Sequence, residues 1–203
     1  MKSVMISIKP NWCELIARGQ KTIEVRKSRP KLETPFKCYI YCVKDPDKLW
    51  VLNEQCRQKY DGLTTVCANL VKSESLYEGN GKVIGEFVCD RVDTYDDDTI
   101  HAFSHENYTR WNDYDLYQCC IHPENFEEYA ADEWLYGWHI SDLVIYDKPM
   151  ELSDFWKAGK CPYVTENGCT YRGHCSRAGQ TNRCGEPLAR PPQSWCYVEE
   201  VRR

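Results

Sequence analysis

The first 26 residues spell a strand, a short helix and a second strand, and that order limits the fold more than any other feature. Val4, Ile6 and Ile8 alternate with Met5, Ser7 and Lys9, the period of a half-buried strand. Pro10 opens a helix at the position where its missing N–H costs nothing, and Gly19 stops it where positive φ is common. Ile23 and Val25 then alternate with Thr22, Glu24 and Arg26. Further strands are expected over residues 37–44, 83–92, 138–146 and 194–201, with helices over 48–60 and 123–132 and a helical turn at 152–156. Five or six short strands with flanking helices predict an α+β fold built on a small mixed β-barrel.

At 203 residues the chain is long for one small barrel and short for two full domains. One domain spanning 1–203 is therefore expected, enlarged by a helical insertion at 45–82 and a Cys-rich insertion at 160–192. No stretch approaches the ~20 apolar residues that cross a bilayer, and no signal-peptide pattern opens the chain, so no membrane contact is expected. Thirteen cysteines is an odd number, and Cys38, Cys42 and Cys89 sit at periodic apolar positions as small hydrophobes. That usage fits a reducing compartment and predicts a cytoplasmic protein.

The net charge of −5 argues against a nucleic-acid binder only as an average. Residues 1–44 carry +7, 45–89 carry −2, 90–156 carry −14 and 157–203 carry +4. If the two basic ends meet, they form a local positive surface; otherwise the acidic middle neutralises them. The acidic tract at 93–98 reads as a loop or cap.

The strongest local signal runs from Gly19 to Arg26. A period of two places Thr22, Glu24 and Arg26 in one row about 7 Å apart, with Lys21 at the turn before them. Lys21 and Arg26 then suit a phosphate, and Glu24 the amino edge of a base. The bland alternative is a solvent-facing strand with an ordinary ion pair. Trp12, Trp138, Trp195 and Tyr197 are candidates for a stacking surface, although about half of them are expected in the core. His139 is expected to be a structural, hydrogen-bonded histidine, and Cys119 and Cys120 unreactive thiols.

Cys161, Cys169, Cys175 and Cys184, with His174 adjacent, lie in a glycine-rich stretch without hydrophobic periodicity. Four thiolates there suit a structural Zn²⁺ whose binding supplies folding energy; free or packed thiols, and a disulfide or iron–sulfur arrangement, are the alternatives.

The pattern Gly19-x-Lys21-Thr22-x-Glu24-x-Arg26 after a short helix resembles the signature of the ASCH family of the PUA-like superfamily. The segments 136–140 (Tyr-Gly-Trp-His-Ile) and 191–197 (Pro-Pro-Gln-Ser-Trp-Cys-Tyr) resemble those of larger bacterial and phage ASCH proteins. The resemblance implies a cleft beside the first helix that takes RNA, single-stranded nucleic acid, a nucleotide or a modified nucleoside. Its wall would include Ser7, Lys9, Trp12, Lys21, Thr22, Glu24, Arg26, Trp138 and Tyr197.

Some small members are amidohydrolases on acylated cytidines, with a nucleophilic threonine where this chain has Glu24. If this chain is an enzyme of that kind, or a ribonuclease, Glu24 would act as general base and Lys21 would stabilise an oxyanion. A downstream glutamate is also implied, with Glu124, Glu127 and Glu128 as the candidates. A third expectation is a protein-interaction factor of phage or mobile-element origin that uses the acidic middle.

Overall fold

The computed structural model describes residues 2–45, 79–105, 114–158 and 187–201, together with the short paired segments 48–50, 65–67, 164–165 and 168–169. Along the chain come β1 (Lys2–Ile8), α1 (Pro10–Ala17), β2 (Ile23–Arg26), β3 (Phe36–Cys42), β4 (Lys48–Trp50), β5 (Thr65–Cys67), β6 (Lys82–Cys89) and β7 (Val92–Tyr95). There follow α2 (Asp97–His105), α3 (Tyr114–Cys119), α4 (Pro123–Ala130), β8 (Leu135–His139), β9 (Ser141–Met150), β10 (Val164–Thr165), β11 (Gly168–Cys169) and β12 (Trp195–Glu199). The fold is α+β.

Strands β12, β1, β3, β6 and β9 form one mixed sheet in that order, with β1 and β3 parallel and the other neighbours antiparallel. The central place of β1 corrects the half-buried expectation. Its residues from Ser3 to Ile8 are all buried, because strands flank it on both edges and side chains cover both faces. Val4, Ile6 and Ile8 pack with Cys13, Ile16 and Trp138, while Met5 packs with Tyr39, Tyr41 and Phe155 on the other side. Ser7 is tolerated there because its hydroxyl donates to the Pro192 carbonyl at 2.6 Å.

The expected strands over 83–92 and 138–146 are each broken by a corner. The first divides at Asp90 and Arg91 into β6 and β7, and the second at Ile140 into β8 and β9. Because β6 pairs with β9 and β7 with β8, one bent ribbon carries the chain from the five-stranded sheet into a second sheet, ordered β2–β8–β7. Hydrogen bonds continue through the bend, from His139 N to Arg91 O at 3.0 Å and from Ile140 N to Thr22 O at 2.9 Å. Trp138 fills the angle, in edge contact with Phe36 and Trp195 at 5.9 Å each. The barrel expected from the sequence is thus two sheets joined by a bent ribbon, and among the described residues no strand pairing closes it.

The second sheet turns Ile23, Val25, Tyr95 and Leu135 toward Ile100 of α2 and Phe126 and Ala130 of α4. Tyr95, Phe103 and Phe126 meet edge to face at 5.5–5.8 Å and fix those helices on the sheet.

In the first insertion, residues 48–50 form a strand paired with β5 where a helix was expected. Residues 51–60 of that expected helix lie outside the described residues. Residues 152–154 form the expected turn as one 3₁₀ turn. Among the described residues, no helix is long and apolar enough to cross a membrane.

Candidate functional site

Gly19 sets the site's geometry. Its φ of +70° ends α1, and Gln20 N and Lys21 N both bond to Leu15 O. The chain therefore reverses within two residues and brings Lys21 in line with β2. Glu24 and Arg26 project from the same face of β2, into a cavity of about 700 Å³. One wall comes from the end of β1 and the start of α1, with Ser7, Lys9 and Trp12. The opposite wall is the link into α4, with Cys120, Ile121 and His122, and then Asn125, Glu128 and Tyr129 of the helix itself.

A chain of charges lies at the centre. Arg26 Nη2 is 2.8 Å from Glu24 Oε1, and Lys21 Nζ is 3.4 Å from Glu24 Oε2. Lys21 is 2% exposed and Glu24 5%. Charges so deeply buried persist only when paired and hydrogen-bonded. Lys21 Nζ donates to the Cys119 carbonyl at 2.6 Å, and the Trp12 ring centroid lies 5.0 Å from it. Arg26 Nη2 donates to the Ser7 carbonyl at 2.6 Å, tying the second sheet to β1. Glu24 Oε2 and Arg26 Nε, both buried, take part in no hydrogen bond. Two cations thus hold one carboxylate, Arg26 at Oε1 and Lys21 at Oε2.

The Cys120 thiol on the opposite wall is pushed up by its burial, with Lys21 opposing in part. The Tyr129 hydroxyl is likewise pushed up by burial, against the pull of Arg26. Neither group is poised as a nucleophile at neutral pH.

The chain is similar to an ASCH protein of Zymomonas mobilis. That crystal structure shares 14% identity with the chain at a TM-score of 0.47, covering 98% of this chain and 89% of the other. A tyrosine-to-phenylalanine mutant of it gives 14% and 0.48, over 98% and 92%. No protein-family model and no curated protein sequence matches.

Of the residues singled out in the sequence, Ser7, Lys9, Trp12, Lys21, Glu24 and Arg26 line the one cavity. Three others do not. Thr22 precedes β2, and its hydroxyl donates to Gln118 Oε1 at 3.0 Å, anchoring α3. Trp138 is fully buried in the corner between the sheets. Tyr197 lies along β12, where its hydroxyl accepts from Lys31 N at 2.7 Å and Lys2 Nζ sits 4.1 Å from its ring. His139 is structural, as expected: its Nε2 lies 2.6 Å from Asp93 Oδ2 and 2.9 Å from Arg91 Nη2, away from the cavity.

Among the three candidate glutamates, only Glu128 lines the cavity; Glu124 pairs with His122 at 3.8 Å and Glu127 faces another hollow. Of the α4 wall the sequence offers Glu128 as a candidate and misses Asn125 and Tyr129, although their signal is present. Phe126 and Ala130 form the buried stripe, which leaves Asn125, Glu128 and Tyr129 together on another face at i, i+3 and i+4. Of the cysteine cluster, Cys161, Cys175 and Cys184 lie outside the described residues, and Cys169 is described only as part of the β10–β11 hairpin.

Proposed function

We propose that the chain binds nucleic acid or a nucleotide, RNA or a modified nucleoside above all, with one base in the cavity and its amino edge on Glu24. Glu24 carries this reading: it lines the cavity, and its buried Oε2, 3.4 Å from Lys21 Nζ, accepts no hydrogen bond. The ion pair with Lys21 offsets part of the cost of burying this oxygen, and an incoming N–H would add the hydrogen bond it lacks. Trp12 and Tyr129 add aromatic side chains to the lining, which suits a base. Lys21 and Arg26 outnumber Glu24 on the floor, and exposed Lys9 adds a cation at the wall. Helices α1 and α4 both start at cavity-lining residues, Lys9 and His122, and neither has a side-chain cap, which favours a phosphate there.

Titration with short single-stranded RNA at low salt tests this reading. Arg26→Ala is expected to abolish binding, and unchanged affinity contradicts it.

The presence of Glu128 in the same cavity lining as Glu24 and Lys21 favours a second reading, hydrolysis of an acyl group from a cytidine or of RNA. For the acyl substrate, Glu24 takes a proton from water as the water oxygen attacks the acyl carbonyl, Lys21 stabilises the resulting oxyanion, and the proton on Glu24 passes to the exocyclic amine as the C–N bond breaks. Turnover of acylated cytidines or short RNAs above that of a Glu24→Gln control supports it; equal rates contradict it. A structural Zn²⁺ on Cys161, Cys169, Cys175 and Cys184 is proposed from their spacing. Metal analysis of the purified protein showing about one zinc per chain supports that, and none contradicts it.

A further inference from the structure

Beyond Arg26 the chain leaves the cavity and enters a basic loop before β3. We propose that this loop, residues 27–32, is a second subsite for the neighbouring nucleotides of a single strand. The preferred partner is then a strand of several nucleotides, not a free one. This rests on the nucleotide-binding reading of the cavity.

The loop borders a groove of about 530 Å³ whose lining includes Lys27, Arg29, Lys31 and Tyr136 and no carboxylate. In a chain of net charge −5, three cations around one hollow are a local reversal of sign. The loop is pinned: Trp195 Nε1 donates to Ser28 Oγ at 3.0 Å, and Lys31 N donates to the Tyr197 hydroxyl at 2.7 Å. Its charges are thus carried on a fixed backbone, which lowers the ordering cost of binding. Arg29 Cζ lies over the Tyr136 ring, 6.0 Å from its centroid, so the groove lining combines a cation and an aromatic ring in one stack.

The groove adjoins the cavity. Tyr136 is the cross-strand partner of Arg26, and Lys27 Nζ lies 5.8 Å from the ring of cavity-lining Tyr129. Lys27 also lies 3.6 Å from Glu133, a partly exposed pair that screening weakens. A base seated in a cavity must be unstacked and unpaired, which selects single strands over duplexes.

The test compares cytidine 5′-monophosphate, a tetranucleotide RNA and a tetraglutamate peptide, on the native chain and on the double variant Arg29→Ala/Lys31→Ala. The native chain is expected to bind the tetranucleotide about tenfold or more tighter than the mononucleotide. The double variant is expected to lose that gain, keep its mononucleotide affinity, and lower the slope of log K against log salt by about 1.4, at about 0.7 per cation for single strands.

A double variant with native tetranucleotide affinity and slope overturns the proposal, as does a native chain with no tetranucleotide advantage. Peptide binding that the double variant loses, with RNA binding unchanged, assigns the groove to an acidic protein and also overturns it. If the native chain binds neither mononucleotide nor tetranucleotide, the cavity reading itself falls; mononucleotide binding lost in Glu24→Gln shows that the cavity reading stands whatever the groove does.

Discussion

Lys21 and Glu24 are buried together in a way their local sequence only half announces. The row of Glu24 and Arg26 followed from the period of two, but its burial did not. Lys21 is enclosed by the Cys119 carbonyl at the end of α3, about a hundred positions further along, and by the Trp12 ring. Thr22 was placed in the same row, yet the turn after Gly19 keeps it out of β2 and gives its hydroxyl to Gln118. Removing one cation from the buried charge chain leaves Glu24 with Arg26 alone. Lys21→Ala is therefore expected to destabilise the protein by about 2–3 kcal/mol in urea unfolding, below the full cost of an orphaned charge because Arg26 remains. A change under about 0.5 kcal/mol, as for a surface pair, would show that Lys21 and Glu24 are solvated.

The bent ribbon decides how the elements surround the site. Sequence periodicity located both of its strands and missed both corners, because apolar alternation runs unbroken through a bend that only packing reveals. Trp138 looked like a stacking platform for the same reason: a large aromatic on a strand serves a ligand or a core equally well until its neighbours are known. At the second sheet Gly137 is required by close approach. A Cβ there would lie 2.6 Å from the Tyr95 hydroxyl, 2.9 Å from Tyr95 Cε2 and 3.0 Å from Ile23 Cγ2. Tyr95 is held by Phe103 and Phe126 and has little room to yield. Gly137→Ala is expected to cost about 2–3 kcal/mol and to weaken ligand binding, since it pushes β8 from β2 beside Glu24. Native stability in a thermal melt would contradict that packing.

At the scale of the whole molecule, the charge segregation along the chain is seen in how its parts meet. The basic ends meet, since β1 pairs with β12, and the acidic middle supplies α4 as the cavity's far wall. Several thiols lie inside this core as hydrophobes, as their periodic positions indicated. Burial raises Cys13 and Cys38 well above the ordinary thiol value, and Cys89 from 9.0 to about 12. Above pH 9 the unfolded chain releases these protons while the folded chain keeps them, so stability is full below that pH and falls as pH rises toward 12. The loss is about 1.4 kcal/mol per pH unit for each such thiol. Urea midpoints at about pH 8 and about pH 10.5 check this, and equal midpoints would contradict it. The central claim is that Glu24 presents a spare acceptor to a ligand, and the paired affinities of cytidine and uridine 5′-monophosphate test it most directly. Cytosine carries the amino donor that uracil lacks, so the native chain should prefer the cytidine form by about 1–3 kcal/mol and Glu24→Gln should lose that preference. Equal affinities for the two on the native chain would contradict it.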